Sequence, residues 1–165
     1  MAEHLVIKQS QLITINTDAS FYHDTLSAGW ATWIRYRGEK ITYSGPLLTA
    51  TTSLDAEKMA IINALYLVKK QGWEFEKIIV NTDCMSAIAH LTNRLPHDIL
   101  SAIASEKISF LDKVEYRHVR AHTHTRVSRN WVNDWCDKEA KKHSRKLHKK
   151  RLKNGKISNS KRARR

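Results

Sequence analysis

Asn-Thr-Asp follows an apolar, β-branched run twice in this chain, in ITINTDAS (Ile13–Ser20) and in IIVNTDCMS (Ile78–Ser86). If the two runs are parallel strands lying side by side in matching phase, the residues just past their ends project into one crevice, where open α/β sheets hold ligands. Asp18 and Asp83 would then face each other. Either acid alone reads as a turn former closing a strand, but two like charges at one sheet edge call for compensation. Glu57 adds a third carboxylate. Its helical phase matches Ala60, Ile61 and Ala64, so it falls in the first turn of a face that packs on the sheet, where an uncompensated charge is costly. Asp55, with Thr52 three residues before it, reads instead as a helix start signal. In NWVNDWCDKEA, Trp131, Val132, Trp135, Cys136 and Ala140 form an apolar stripe, with Asn133 and Asp137 four apart along its border. Asp134 points to a different flank, which favours Asp137 as the fourth acid.

Four carboxylates around one point cannot all stay ionised without a cation. An all-oxygen ligand set suits Mg²⁺ or Mn²⁺. Two such ions, roughly 4 Å apart, would clamp a phosphodiester, one activating water for in-line attack and the other stabilising the departing oxygen. The chemistry expected is therefore metal-dependent strand cleavage, with Asp18, Glu57, Asp83 and Asp137 as ligands. Three histidines, His118, His122 and His124, fall in a short stretch before the last helix. His122 or His124 is placed to shuttle protons near the attacking water or leaving group, although an exposed polar loop is the commoner fate of any one of them.

The elements that must position these groups read as follows. Strands are expected over Leu12–Thr17, Gly29–Tyr36 and Lys40–Pro46, the last two joined by a short loop, Arg37-Gly38-Glu39. Apolar residues at helical spacing predict a helix over Asp55–Gln71, with Gly72 as its stop. A fourth strand, Lys77–Thr82, precedes short helices over Ser86–Asn93 and Ile99–Glu106, and Lys113–Val119 alternates like a fifth. The final helix begins near Ser128 and runs to Asn154-Gly155, beyond which KISNSKRARR has too little apolar content to pack and reads as disordered. One crossover helix before the fourth strand implies a mixed α/β sheet with helices on its faces, the first and fourth strands being parallel neighbours.

At 165 residues the chain makes one domain with room for a real core. Its net charge of +13 is unevenly placed: Lys141 to Arg165 holds 13 Lys and Arg and no acid, and bases and acids balance in the rest. A block of this kind attracts a polyanion, nucleic acid first, although it also reads as a solubility tail. Cys84 and Cys136 are too far apart for a metal-ligand spacing and make no disulfide framework. MAEHLVIKQSQ lacks a signal core, and no run reaches membrane-spanning length. The expectation is a soluble, cytoplasmic, nucleic-acid-associated monomer with no membrane partner.

The motifs together resemble the type I ribonuclease H family, which cuts the RNA strand of RNA/DNA hybrids. The resemblance covers about Ile13 to Lys142. TDAS is similar to the family's TDGS, WIRYRGEKITYSG to its second and third strands, and AEKMAIINAL to its MELMAA-type helix. VNTDCMSAI is similar to its TDS segment, HVRAHTHT to its KGH loop, and NDWCDKEA to its N-x-x-CD-x-LA helix. It implies a five-stranded mixed sheet of order 3-2-1-4-5 flanked by helices, two metal ions on Asp18, Glu57, Asp83 and Asp137, and His122 as the flexible catalytic histidine. Asn133, Ser20 and Ser53 become substrate-binding residues, joined by Lys141, Lys142 and Arg145 of the basic segment. The catalytic body is then residues 1–142, and residues 143–165 are a basic helical extension with a disordered tail. The chain departs from the family in three places. FYHDTLSAG replaces the Gly/Pro-rich loop after the first Asp, Ser53-Leu54 stands where paired polar residues usually precede the helix Glu, and no Trp-bearing basic handle precedes the fifth strand. The readings kept beside hybrid cleavage are a nuclease of the same fold acting on DNA or structured RNA, and a non-catalytic nucleic-acid-binding module.

Overall fold

The computed structural model describes residues 8–92, 104, 106–120 and 128–162. The chain runs through β1 (Leu12–Tyr22), β2 (Ser27–Tyr36), β3 (Glu39–Leu47), α1 (Ser53–Gln71), β4 (Lys77–Thr82), α2 (Met85–Thr92), β5 (Val114–His118) and α3 (Ser128–Arg162). One five-stranded sheet has the order β3-β2-β1-β4-β5. β1 pairs antiparallel with β2 and parallel with β4, β2 pairs antiparallel with β3, and β4 parallel with β5. This is the expected mixed sheet. Of the helix expected over Ile99–Glu106, most lies outside the described residues; Ala104 and Glu106 are helical.

Alternation decides which side of the sheet each residue serves. Ile13, Ile15 and Thr17 are buried along one face of β1, as a period of two demands. Ile13 and Ile15, with Ile78, Val80 and the apolar face of α1 (Ala56, Ala60, Ile61, Ala64, Leu65, Val68), form the main core, which Ala87 of α2 joins. α1 starts where Thr52 accepts a hydrogen bond from the Asp55 N–H and stops where Gly72 turns left-handed at φ 66°. Both ends match the start and stop signals in the sequence.

The opposite face carries α3, which packs on β1, β2 and β3. A second cluster, Ala31, Trp33, Cys136 and Ala140, fills that seam. The contact is close because β2 offers a glycine: a Cβ on Gly29 would lie 2.3 Å from the Ala140 carbonyl oxygen.

Two expectations about chain length are corrected. β1 does not end at Thr17 but continues to Tyr22, because β2 pairs with it residue by residue as far as Tyr22↔Ser27. The last helix does not stop at Asn154-Gly155 but runs to Arg162. A single exposed Gly costs a helix only about 1 kcal/mol, and Lys and Arg are good helix formers. The division drawn after Lys142 falls inside this continuous helix, whose contacts with the sheet persist to Arg151. Among the described residues, no helix is long and apolar enough to cross a membrane.

Candidate active site

The repeated Asn-Thr-Asp follows from the sheet. Asn16 and Asn81 form the last rung of the parallel β1–β4 ladder. Thr17 and Thr82 come next and are both buried. Past that rung the strands part, β1 going on with β2 while β4 ends at Thr82, so Asp18 and Asp83 flank the opening at equal register. Each motif is held in place locally. The Asn16 carbonyl accepts from the Thr32 hydroxyl at 3.0 Å and from the Cys136 thiol at 3.8 Å. The Thr82 hydroxyl accepts from the Cys84 N–H at 3.2 Å, turning the chain just after Asp83. His118, at the end of β5, donates from Nε2 to the Asp83 carbonyl at 3.1 Å, so this histidine fixes the Asp83 loop.

Glu57, from the first turns of α1, completes the cluster. One carboxylate oxygen from each of Asp18, Glu57 and Asp83 lies within 4.8 Å of the others. Glu57 Oε2 is buried with no hydrogen-bond partner among the described residues. Burial, then the Asp83 and Asp137 charges, push the Asp18 carboxyl up to about 8 against an ordinary 3.8, although the Ala19 N–H and Lys141 pull the other way. Glu57 is likewise raised well above the usual carboxylate range, first by burial, then by Asp18 and Asp83. These groups crowd one another because each is deprived of water and faces its own kind of charge.

Asp137 enters from α3. It lines a cavity of about 30 Å³ with Thr17, Asp18, Asp83, Val119, Arg120, Asn133 and Asp134. Its carboxylate accepts from Lys141 Nζ at 2.8 Å, one turn along the helix. It thus faces Asp18 from across the opening, and it is not one of the three tightly gathered acids.

The other sequence-predicted residues divide. Asn133 lines the cavity. Ser53 is exposed at the start of α1, one turn ahead of Glu57. Lys142 is exposed with its amine 3.8 Å from Glu139, and Arg145 is exposed. Lys141 donates to Asp137, and the Ser20 hydroxyl accepts from the fully buried Ser144 at 2.9 Å, where it helps seat α3 on β1. His122 and His124 lie outside the described residues. Asp134, set aside on helical phase, reaches the cavity as well, because residues three apart share a helix flank. Arg120 was missed altogether. It lies two residues past the end of β5, at the same edge of the sheet as Asp83, so attention to the residues beyond every parallel strand would have found it.

A sequence profile described as reverse transcriptase-like matches residues 16–143, from the Asn16 rung through the Asp137 helix. The chain belongs to this reverse transcriptase-like family. No curated protein sequence matches it. Its fold is similar to the N-terminal ribonuclease H domain of a Mycobacterium tuberculosis protein, solved as a fusion with maltose-binding protein. There the TM-score is 0.66 and the identity 16%, over 86% of this chain and 99% of that one. It is also similar to LC11 ribonuclease H1 from compost, solved in complex with an RNA/DNA hybrid (TM-score 0.63, 18% identity, 81% and 97% of the two chains). Ribonuclease H1 of the archaeon Halobacterium salinarum gives a TM-score of 0.62 at 18% identity, over 80% and 96%. At these identities the likeness of this ribonuclease H-like chain to its neighbours is one of fold.

Proposed function

We propose that the protein is a metal-dependent endonuclease that hydrolyses the RNA strand of RNA/DNA hybrids. The observation that carries this reading is the gathering of Asp18, Glu57 and Asp83 within 4.8 Å, with Asp137 facing them across a small cavity. The residues fit divalent ions: the donors are hard oxygens, Glu57 Oε2 is buried without a partner among the described residues, and two of the acids are strained toward protonation. Asp18, Glu57, Asp83 and Asp137 would hold Mg²⁺ or Mn²⁺. When bound, two such ions supply water activation and stabilisation of the leaving oxygen.

The chain's own groups do the rest. Asn133 offers an amide to substrate from within the cavity, and Ser53 offers a hydroxyl beside the helix that carries Glu57. Lys142 and Arg145 meet phosphates, contacts that position without reading sequence. Lys141 holds Asp137 oriented. His122 moves a proton at the attacking water or the leaving 3′ oxygen. The LC11 enzyme in its hybrid complex supports a duplex as the bound form.

The test is purified protein with Mg²⁺ or Mn²⁺, offered labelled RNA/DNA hybrid, double-stranded RNA, single-stranded RNA and duplex DNA. The expected result is internal cuts in the RNA of the hybrid, with 3′-hydroxyl and 5′-phosphate ends, and no cuts in excess chelator. Asp83→Asn binds hybrid and does not cut it. Cleavage of duplex DNA or double-stranded RNA with the hybrid left intact would hand the site to the other nuclease reading, and binding without any cleavage would make the protein a binding module.

A further inference from the structure

The long helix α3 carries two kinds of base. One kind is turned inward. His148 stacks on Tyr22 with ring centroids 4.3 Å apart and meets the Thr25 hydroxyl at 2.7 Å through Nδ1. Arg151 donates to the carbonyls of Thr25, Leu26 and Leu48. With Ser144 on Ser20 and His143 on Ser44 at 3.0 Å, these residues fasten the helix along the β1–β2 hairpin and the end of β3. The other kind, Lys146, Lys149, Lys150 and Lys153, is exposed.

The spacing of three and four puts these lysines on neighbouring turns, and no acid follows Glu139 in the chain to offset them. Like charges at such spacing repel one another and destabilise a helix. The same helix carries Asp137, about 24 Å from Lys153 at 1.5 Å per residue. A fixed line of positive charge therefore runs along the outward side of the helix, away from the acidic cluster. A membrane is a poor match, since Leu152 is the one large apolar side chain exposed between Lys141 and Gly155. A regular line of phosphates is a good one.

We infer that Lys146, Lys149, Lys150 and Lys153 form a phosphate-backbone rest for the duplex whose scissile bond lies at the acidic cluster, with His148 and Arg151 anchoring the helix that carries it. The inference rests on the nuclease reading for the identity of the duplex. The contacts are to backbone charge, so they raise affinity for any sequence and weaken with salt.

The experiment compares two variants by fluorescence anisotropy on a roughly 24-bp hybrid, both in an Asp83→Asn background so that nothing is cut. K146Q/K149Q/K150Q/K153Q removes the outward charges. K69Q/K70Q/K107Q/K113Q removes equal charge around the C-terminal end of α1, at the far end of the sheet. The expected result is a loss of more than about tenfold in affinity at low salt for the first variant, with the dependence on log salt shallower by about 3. The control changes less than about twofold. A variant with the four outward lysines changed to Arg keeps both properties and shows that charge, with the fold intact, is what matters. Unchanged affinity and slope in the first variant would overturn the inference, as would equal losses in the two. So would loss of binding to an acidic polypeptide with hybrid binding unchanged. The measurement needs no turnover: an absence of cleavage overturns the nuclease reading alone, and an active nuclease indifferent to these lysines overturns the phosphate rest alone.

Discussion

Asp18→Asn is expected to abolish hybrid cleavage while making the metal-free protein more stable. Both effects come from one geometry. In the folded chain the Asp18 carboxyl is raised to about 8 from 3.8, first by burial and then by Asp83 and Asp137. Its folded pKa lies above its unfolded one, so the folded state retains a proton that the unfolded state has released. Stability from this group is complete below about 3.8 and is lost steadily as pH rises toward 8. Glu57, raised in the same direction, adds to the same slope. Metal-free wild-type protein should therefore melt lower at pH 8 than at pH 5. Asparagine carries no charge and can donate to the orphaned Glu57 Oε2, so the variant melts about 5 °C higher than wild type at pH 8 and shows a flatter pH profile. Added Mg²⁺ or Mn²⁺ raises the wild-type melting temperature and raises that of the variant much less, because a ligand stabilises only the state that binds it. Cleavage falls by at least roughly 10³-fold, about 4 kcal/mol of barrier. Melting curves in chelator and in metal at the two pH values check the claim. Equal melting temperatures and equal pH slopes for the two proteins would show that Asp18 is not electrostatically crowded.

The acidic cluster was legible because each of its parts leaves a local trace. A strand that ends in Asn-Thr-Asp twice fixes a shared register. Glu57 breaks the apolar phase of its helix, and Asp137 borders an apolar stripe. Period-two and period-3.6 patterns, which are properties of neighbouring residues, carried the succession of elements and the polarity of α1, and the order of strands in the sheet came from the family resemblance. What the patterns could not carry were facts about partners distant in the chain. Whether β1 ends at Thr17 or at Tyr22 depends on how far β2 accompanies it, and nothing in ITINTDASFY announces that. Asp134 lines the cavity beside Asp137, which the choice between the two on helical phase did not anticipate, because phase gives a direction and no measure of how wide the opening is. His148 and Arg151 looked like two more bases in a basic run. Only the Tyr22 ring and Thr25 hydroxyl that meet His148, and the carbonyls of Thr25, Leu26 and Leu48 that meet Arg151, distinguish them from the lysines beside them. Gly29 was read simply as the start of a strand, since what makes it matter is the helix lying against it.

That glycine sets the second large expectation, for Gly29→Ala. An added Cβ would lie 2.3 Å from the Ala140 carbonyl oxygen, 2.6 Å from the Ser144 amide nitrogen and 2.8 Å from His143 Cβ. Two of the three are main-chain atoms of α3, which no rotamer change can move aside. The helix must retreat by about 1 Å to restore ordinary contact, or β2 must bend away from β1 and β3, which pair with it on both sides. Either response loosens the seam of Ala31, Trp33, Cys136 and Ala140 and strains the Ser144–Ser20 hydrogen bond. Overpacking of this kind costs about 2–3 kcal/mol. The catalytic cost is separate. Asp137 lies one turn before Ala140 on the same rigid element, so a retreat of that size carries its carboxylate away from Asp18, and misplacements of about 1 Å lower turnover by roughly 10²-fold. Thermal melting and kcat on the hybrid measure the two effects, and Ala31→Gly, which removes a methyl from the same seam without pushing the helix outward, separates them. It should lower stability by a comparable amount and turnover far less. A Gly29→Ala protein with wild-type melting and wild-type turnover would mean that α3 does not rest on β2 at this distance, and Asp137 would then lose its place opposite Asp18.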